Sequence, residues 1–293
     1  MVSLICFCAS AQDVGSSVRI ASVKVATAAP SATNRALTIW YRVPAGYSAQ
    51  QTVPSRILVI FGGRNASGKE EVSGKLDWDR WADTQNAFLV SPGYYNDDYW
   101  EPRAWSGKAL LDGIDLIRKK YFVCDRKLLY YGYSAGSQCA NLFAAWRPDF
   151  TRGWVAHGCG VFHEPRLTLR QVPGLVTCGD ADTARFIISR KFVERCRQLR
   201  LPVLWKSFPN SPHDVPPDSL KLARAWLAYC DALFAADLTG KVFGNSVTLS
   251  APPAFIGDDV DNVYYPPGSA GAANIFPQDA VILPTVSVAE AWG

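Results

Sequence analysis

Leu128-Leu129-Tyr130-Tyr131-Gly132-Tyr133-Ser134-Ala135-Gly136-Ser137-Gln138 is the stretch on which the fold turns. Strand-favouring residues lead into Gly-x-Ser-x-Gly, and the segment from Ser137 to Ala145 then reads as a helix. A serine at such a strand-to-helix turn occupies a strained bend, its hydroxyl exposed above the carboxyl end of a sheet. Glycine suits positions 132 and 136 because a Cβ at either would meet the neighbouring strand or helix. Five-residue patterns arise by chance, so the weight rests on the strand–turn–helix context. The plain alternative is a Gly/Ser turn that merely joins a strand to a helix.

Outward from this run, the pattern alternates. Val18 to Ala26 and Leu37 to Val43 alternate apolar and polar residues, as antiparallel strands do. Arg56 to Phe61 and Ala87 to Val90 are continuous apolar runs, the pattern of strands buried on both faces. Leu76 to Asn86 and Trp105 to Lys120 have helical spacing. Beyond the central strand, short strands are expected at Trp154 to Ala156, Gly174 to Cys178 and Pro202 to Ser207. Helices are expected at Thr183 to Leu199 and Ser219 to Phe234. Strands alternating with helices predict an α/β fold, a mostly parallel sheet with helices on both faces and antiparallel N-terminal strands.

Three segments follow from composition. Residues 1–11 hold an apolar run, Val2 to Cys8, and then Ala9-Ser10-Ala11, which reads as the end of a secretory signal. That predicts a secreted or periplasmic protein, although no Lys or Arg precedes the run. Residues 12–239 form the main α/β domain. Residues 240–293 carry six prolines and little helical periodicity, and read as a C-terminal extension packed on the body. A net charge of +4 with scattered Lys and Arg gives no electrostatic footprint for nucleic acid. No stretch approaches the roughly 20 apolar residues of a transmembrane helix. Of eight cysteines, six lie beyond the candidate signal, an even number that suits disulfides. Buried free thiols suit the pattern equally well.

A serine hydroxyl needs a base within hydrogen-bond reach before it is a useful nucleophile. The sequence offers only His157, His163 and His213. His213 lies in Pro209-Asn210-Ser211-Pro212-His213-Asp214-Val215-Pro216-Pro217, a loop between the last expected strand and helix of the main domain. The other two precede the acid candidates and break the order serine, acid, histidine. The acid is expected in Gly179-Asp180-Ala181-Asp182, with Asp182 preferred and Asp180 the alternative; either is also suited to capping the helix from Thr183. An oxyanion needs preorganised N–H donors, expected from the Ala135 amide and from Gly63 or Arg64 in Gly62-Gly63-Arg64. The glycine pair is equally a plain strand-ending turn. Tyr133, Tyr95, Tyr99, Trp100 and Trp105 are candidate substrate-pocket walls, with core packing as the alternative role.

Ser134, Asp182 and His213 in that order, with a Gly-rich loop upstream, resemble the α/β-hydrolase superfamily over roughly residues 18–236. Gly132-Tyr133-Ser134-Ala135-Gly136, Phe61-Gly62-Gly63 and the turn Gly179 to Asp182 look like the single-domain secreted esterases grouped with polyhydroxybutyrate depolymerases and feruloyl esterases. Phe-Gly-Gly-Arg departs from the His-Gly form common upstream in that superfamily. The resemblance implies ester hydrolysis through an acyl-enzyme with no cofactor, on short-acyl, feruloyl-type or polyester substrates. Two rival readings are a serine peptidase acting on short peptides and a non-catalytic hydrolase-fold protein that binds a polymer.

Overall fold

The computed structural model describes residues 19–26, 36–94, 99–124, 127–238 and 254–293. The candidate signal at 1–11, the start of the C-terminal extension and Tyr95 lie outside the described residues. Eight strands form a mostly parallel mixed sheet in the order β1-β2-β4-β3-β5-β6-β7-β8, and the chain divides into two compact units near Leu128.

The first unit holds β1 (Arg19–Ala26), β2 (Ala36–Val43), β3 (Arg56–Phe61), α1 (Lys69–Val72), α2 (Trp78–Thr84), β4 (Ala87–Pro92) and α3 (Ser106–Arg118). β2 pairs antiparallel with both β1 and β4, and β3 pairs parallel with β4. The strands that read as continuous apolar runs are the most buried: Leu58, Val59, Phe88, Leu89 and Val90 have no exposed surface. The helix expected over 76–86 is shorter than its pattern, because Leu76 and Asp77 have left-handed φ values of 59° and 51° ahead of α2.

The second unit begins with β5 (Leu128–Tyr133) and α4 (Ala135–Trp146). It continues through β6 (Thr151–His157), β7 (Gly174–Gly179), α5 (Thr183–Gln198), β8 (Val203–Phe208) and α6 (Pro217–Leu238). β6, β7 and β8 pair parallel in sequence order, so the carboxyl ends of all three lie on one edge of the sheet. Parallel strands joined through helices have no other arrangement, since each crossover returns the chain to the same starting edge.

The C-terminal segment is more regular than its composition suggests. Strands β9 (Phe255–Asp258), β10 (Val263–Tyr265) and β11 (Ala280–Leu283) form an antiparallel sheet in the order β10-β9-β11, with α7 (Ala270–Ala273) and α8 (Val286–Trp292) between and after them. Runs of three or four residues are too short to declare a period, which is why they read as an extended tail. The segment is tied down by polar contacts that a loose tail would lack. Trp292 is buried and donates its indole N–H to the Trp205 carbonyl of β8 at 2.8 Å. Lys206 stands 4.1 Å over the Trp292 ring and bonds Asn262 Oδ1 at 2.8 Å; burial lowers its pKa to about 8. Arg190 of α5 pairs with the buried Asp259 carboxylate.

Among the described residues, Cys139, Cys159, Cys178, Cys196 and Cys230 are buried free thiols. Burial pushes Cys159, Cys178 and Cys196 up to about 12, so they pack as small apolar groups and stay unreactive at neutral pH. No helix among the described residues is long and apolar enough to cross a membrane.

Candidate active site

Ser134 sits between β5 and α4 with φ 55° and ψ −122°. A non-glycine residue in this region is strained by about 1–3 kcal/mol, a cost met by surrounding bonds. The Ser134 amide donates to the His157 carbonyl at 3.0 Å. Its own carbonyl accepts the Ser137 amide, also at 3.0 Å, and the Ser137 hydroxyl. Gly132 is required for a tighter reason than conformation: a Cβ there would run into the backbone of Gly136 and Ser137. The bend therefore depends on strand and helix backbones in near contact.

His213 comes from the loop between β8 and α6. The Ser134 hydroxyl is 2.9 Å from His213 Nε2, and His213 Nδ1 is 2.6 Å from Asp182 Oδ2. A carboxylate only accepts, so Nδ1 carries the proton and Nε2 presents a lone pair to the serine hydroxyl. Asp182 occupies the cap position of α5, yet its side chain makes no cap bond. Its carboxylate turns instead to His213 through Oδ2 and to Arg185 through Oδ1 at 3.1 Å. Asp180 faces elsewhere and accepts the Asn210 amide at 2.7 Å, which separates the two acid candidates by geometry. Asp182 is buried, with 7 % of its side chain exposed, whereas His213 keeps 30 %. The imidazole is open to a ligand while the carboxylate bonded to it is shielded from water.

Chain order argues against His157 as the base, yet the fold brings it against this constellation. His157 ends β6 and is buried. Its Nε2 is 2.7 Å from the Asp214 carbonyl and its Nδ1 2.7 Å from Thr177 Oγ1. Tyr133, a candidate pocket wall, stacks on the His213 ring at 5.3 Å and donates its hydroxyl to the His213 carbonyl at 3.1 Å. The third histidine, His163, donates its amide to Asn141 Oδ1 and takes no part in these contacts.

Burial lowers the His157 pKa to about 4. The folded state thus binds this proton near pH 4 and the unfolded chain near pH 6.5, so stability present above pH 6.5 drains as pH falls toward 4. The loss expected from this group is about 3 kcal/mol. Urea denaturation at pH 7.5 and 4.5 measures it, and the pH difference is expected to shrink in His157→Gln.

The remaining expected site residues belong to the first unit. Gly63 and Arg64 follow β3 in a turn closed by the Ala66 amide donating to the Gly63 carbonyl at 3.1 Å. Gly62 lies against the buried Glu71 carboxylate, where a Cβ would not fit. Tyr99 is packed with Tyr94 (centroids 6.3 Å apart), Trp100 is exposed, and Trp105 meets Tyr94 edge-on at 6.0 Å. Tyr99 is therefore largely a packing residue of that unit, whereas Trp100 is open to solvent.

Comparison with solved structures places this architecture. A ferulic acid esterase superposes with a TM-score of 0.56 at 15% identity, covering 75% of this chain and 95% of its own. The fold is that of the α/β-hydrolases. Poly(aspartic acid) hydrolase-1 from Sphingomonas sp. KT-1 has a TM-score of 0.53 at 17% identity, over 73% of this chain and 97% of its own. A fluorophosphonate-binding serine hydrolase from Staphylococcus aureus has 0.52 at 12%, over 76% and 98%. No family model matches the sequence, and none of the curated proteins does.

Proposed function

We propose that this α/β-hydrolase-fold protein is a serine carboxylic-ester hydrolase working through an acyl-enzyme. The observation that carries the reading is the unbroken line of hydrogen-bond distances, Ser134 Oγ to His213 Nε2 at 2.9 Å and His213 Nδ1 to Asp182 Oδ2 at 2.6 Å, at a serine held with φ 55°. Ser134 Oγ attacks the ester carbonyl as His213 Nε2 takes its proton, and the resulting imidazolium is stabilised by Asp182. The oxyanion is held by the Ala135 amide at the start of α4. The family resemblance supplies the second donor, an amide of Gly63 or Arg64. His213 then protonates the departing alcohol, and a water activated by the same nitrogen releases the acid and restores Ser134. No step calls for a cofactor.

For the substrate we propose short-acyl or aromatic-acyl esters, with polyester chains as a further class. The feruloyl-type acyl group is supported by the ferulic acid esterase among the similar structures. Export, to the periplasm or out of the cell, belongs to the same proposal and rests on residues 1–11 alone. Amide hydrolysis is the rival, since poly(aspartic acid) hydrolase-1 is also similar.

One experiment separates them. p-Nitrophenyl acetate, butyrate and octanoate, methyl ferulate and a chromogenic peptide anilide are assayed side by side. The short or aromatic esters are expected to turn over at roughly 1–10³ s⁻¹, the ordinary enzyme range, with the anilide far slower. Anilide cleavage with inert esters favours the peptidase reading, and inertness toward all of them favours a binding protein.

A further inference from the structure

We propose that His157 is a positioning residue that holds the nucleophile and the base to one point of the fold. The inference rests on the triad reading above and adds the part that aligns it. Two bonds of a single residue carry it. The His157 carbonyl accepts the Ser134 amide at 3.0 Å, fixing the backbone of the strained bend. The His157 imidazole reaches the carbonyl of Asp214, the residue after His213, at 2.7 Å. Both reactive groups thus depend on the last residue of β6, itself locked by parallel pairing with β7.

Chemistry fixes how the imidazole is used. A backbone carbonyl only accepts, so Nε2 must carry the hydrogen; Nδ1 is then a lone pair and takes the hydrogen of Thr177 Oγ1. The buried ring is fully satisfied as this one neutral tautomer. Tyr133 adds a second tie on the adjacent carbonyl, that of His213, so consecutive carbonyls of the base's loop are gripped by side chains from β5 and β6. Gly158 completes the arrangement. It has φ 60°, and a Cβ there would stand 3.3 Å from His213 Nδ1 and Cε1. The end of β6 therefore positions the catalytic imidazole by bonding its loop and by leaving room for its ring. A loop bearing Ser211, Pro212 and exposed Asp214 has little core of its own to hold it, and about 1 Å of misplacement is worth on the order of 10²-fold in rate.

Among the described residues, the charged and titratable groups around the His157 ring include His213, Asp182, Asp214 and Tyr133, whose ring centroid is 6.0 Å away, so replacing the ring also perturbs the acid limb of the rate profile. The test compares wild type, His157→Leu, which has no donor, and His157→Gln, whose amide nitrogen reproduces the Nε2 donor. Active sites are counted by stoichiometric reaction with a fluorophosphonate. Per reactive site, His157→Leu is expected to lose about 10²-fold in kcat on p-nitrophenyl acetate, with KM nearly unchanged and the acid limb of kcat/KM displaced. His157→Gln is expected to recover most of that loss. A merely structural role lowers the number of folded sites and leaves kcat per site alone. A folded His157→Leu with wild-type kcat per site overturns the proposal.

Histidine ¹⁵N NMR on the wild-type protein needs no variant to fold. The expected result is a protected Nε2–H tautomer of His157 from pH 5.5 to 9, and an Nδ1–H tautomer overturns the clamp. This measurement also stands apart from the function reading, which fails through an active Ser134→Ala whatever the tautomer of His157.

Discussion

Ser134→Ala is expected to lower kcat for p-nitrophenyl acetate by about 10⁶-fold, the loss seen when a serine nucleophile is removed from such a triad. The substitution isolates the chemistry from the fold. Alanine keeps the Cβ, so it meets the same φ of 55° with no added strain. The amide bond to the His157 carbonyl and the bonds to Ser137 involve backbone atoms of residue 134 and survive. What disappears is the 2.9 Å partner of His213 Nε2. The variant should therefore match wild type in thermal unfolding and in far-UV spectrum, and should no longer react with a fluorophosphonate. Turnover within tenfold of wild type would mean that another group attacks the ester, and the mechanism proposed here would be abandoned.

Asp182→Asn is expected to cost about 10⁴-fold in kcat, or about 5 kcal/mol of barrier. The neighbour of Asp182 makes the direction of the effect specific. Arg185 donates to Oδ1, and a guanidinium accepts nothing, so it holds the carbonyl oxygen of the asparagine at that position. The amide nitrogen is left facing His213 Nδ1. Two donors cannot share that 2.6 Å contact, so the imidazole is driven to the tautomer with hydrogen on Nε2, which has no lone pair for the serine proton. Asp180→Asn is the control. Its remaining carbonyl still accepts the Asn210 amide, and kcat should stay within a few-fold of wild type. Equal loss in the two variants would remove Asp182 from its role, and the reverse ranking would transfer that role to Asp180.

Much of the fold is legible in the chain itself. Continuous apolar runs such as Ile57 to Phe61 and Phe88 to Val90 have no stable place except between two covered faces, and both are core strands. The bend at Ser134 was legible because its glycines answer a steric demand: Gly132 has no room for a Cβ. The short strands of the C-terminal segment were not legible, because four residues such as Phe255–Asp258 have no measurable period and gain their order from Trp205, Trp292 and Arg190 elsewhere in the chain.

Local pattern is enough to determine strand, bend and helix, because these follow from sterics and from apolar periodicity within a dozen residues. By itself the sequence determined the α/β alternation and the candidates Ser134, Asp180, Asp182 and His213 in their order. Only the tertiary structure distinguishes the two aspartates, two residues apart, by bonding Asp182 to His213 and Asp180 to the Asn210 amide. It alone turned Tyr133 toward the His213 carbonyl and brought the His157 ring to the carbonyl of Asp214. The physical reason is the same in each case. A hydrogen bond is decided within a few tenths of an ångström, and the partners here are separated by 31 to 80 positions along the chain; only the packing of β5, β6, β7 and β8 sets such distances.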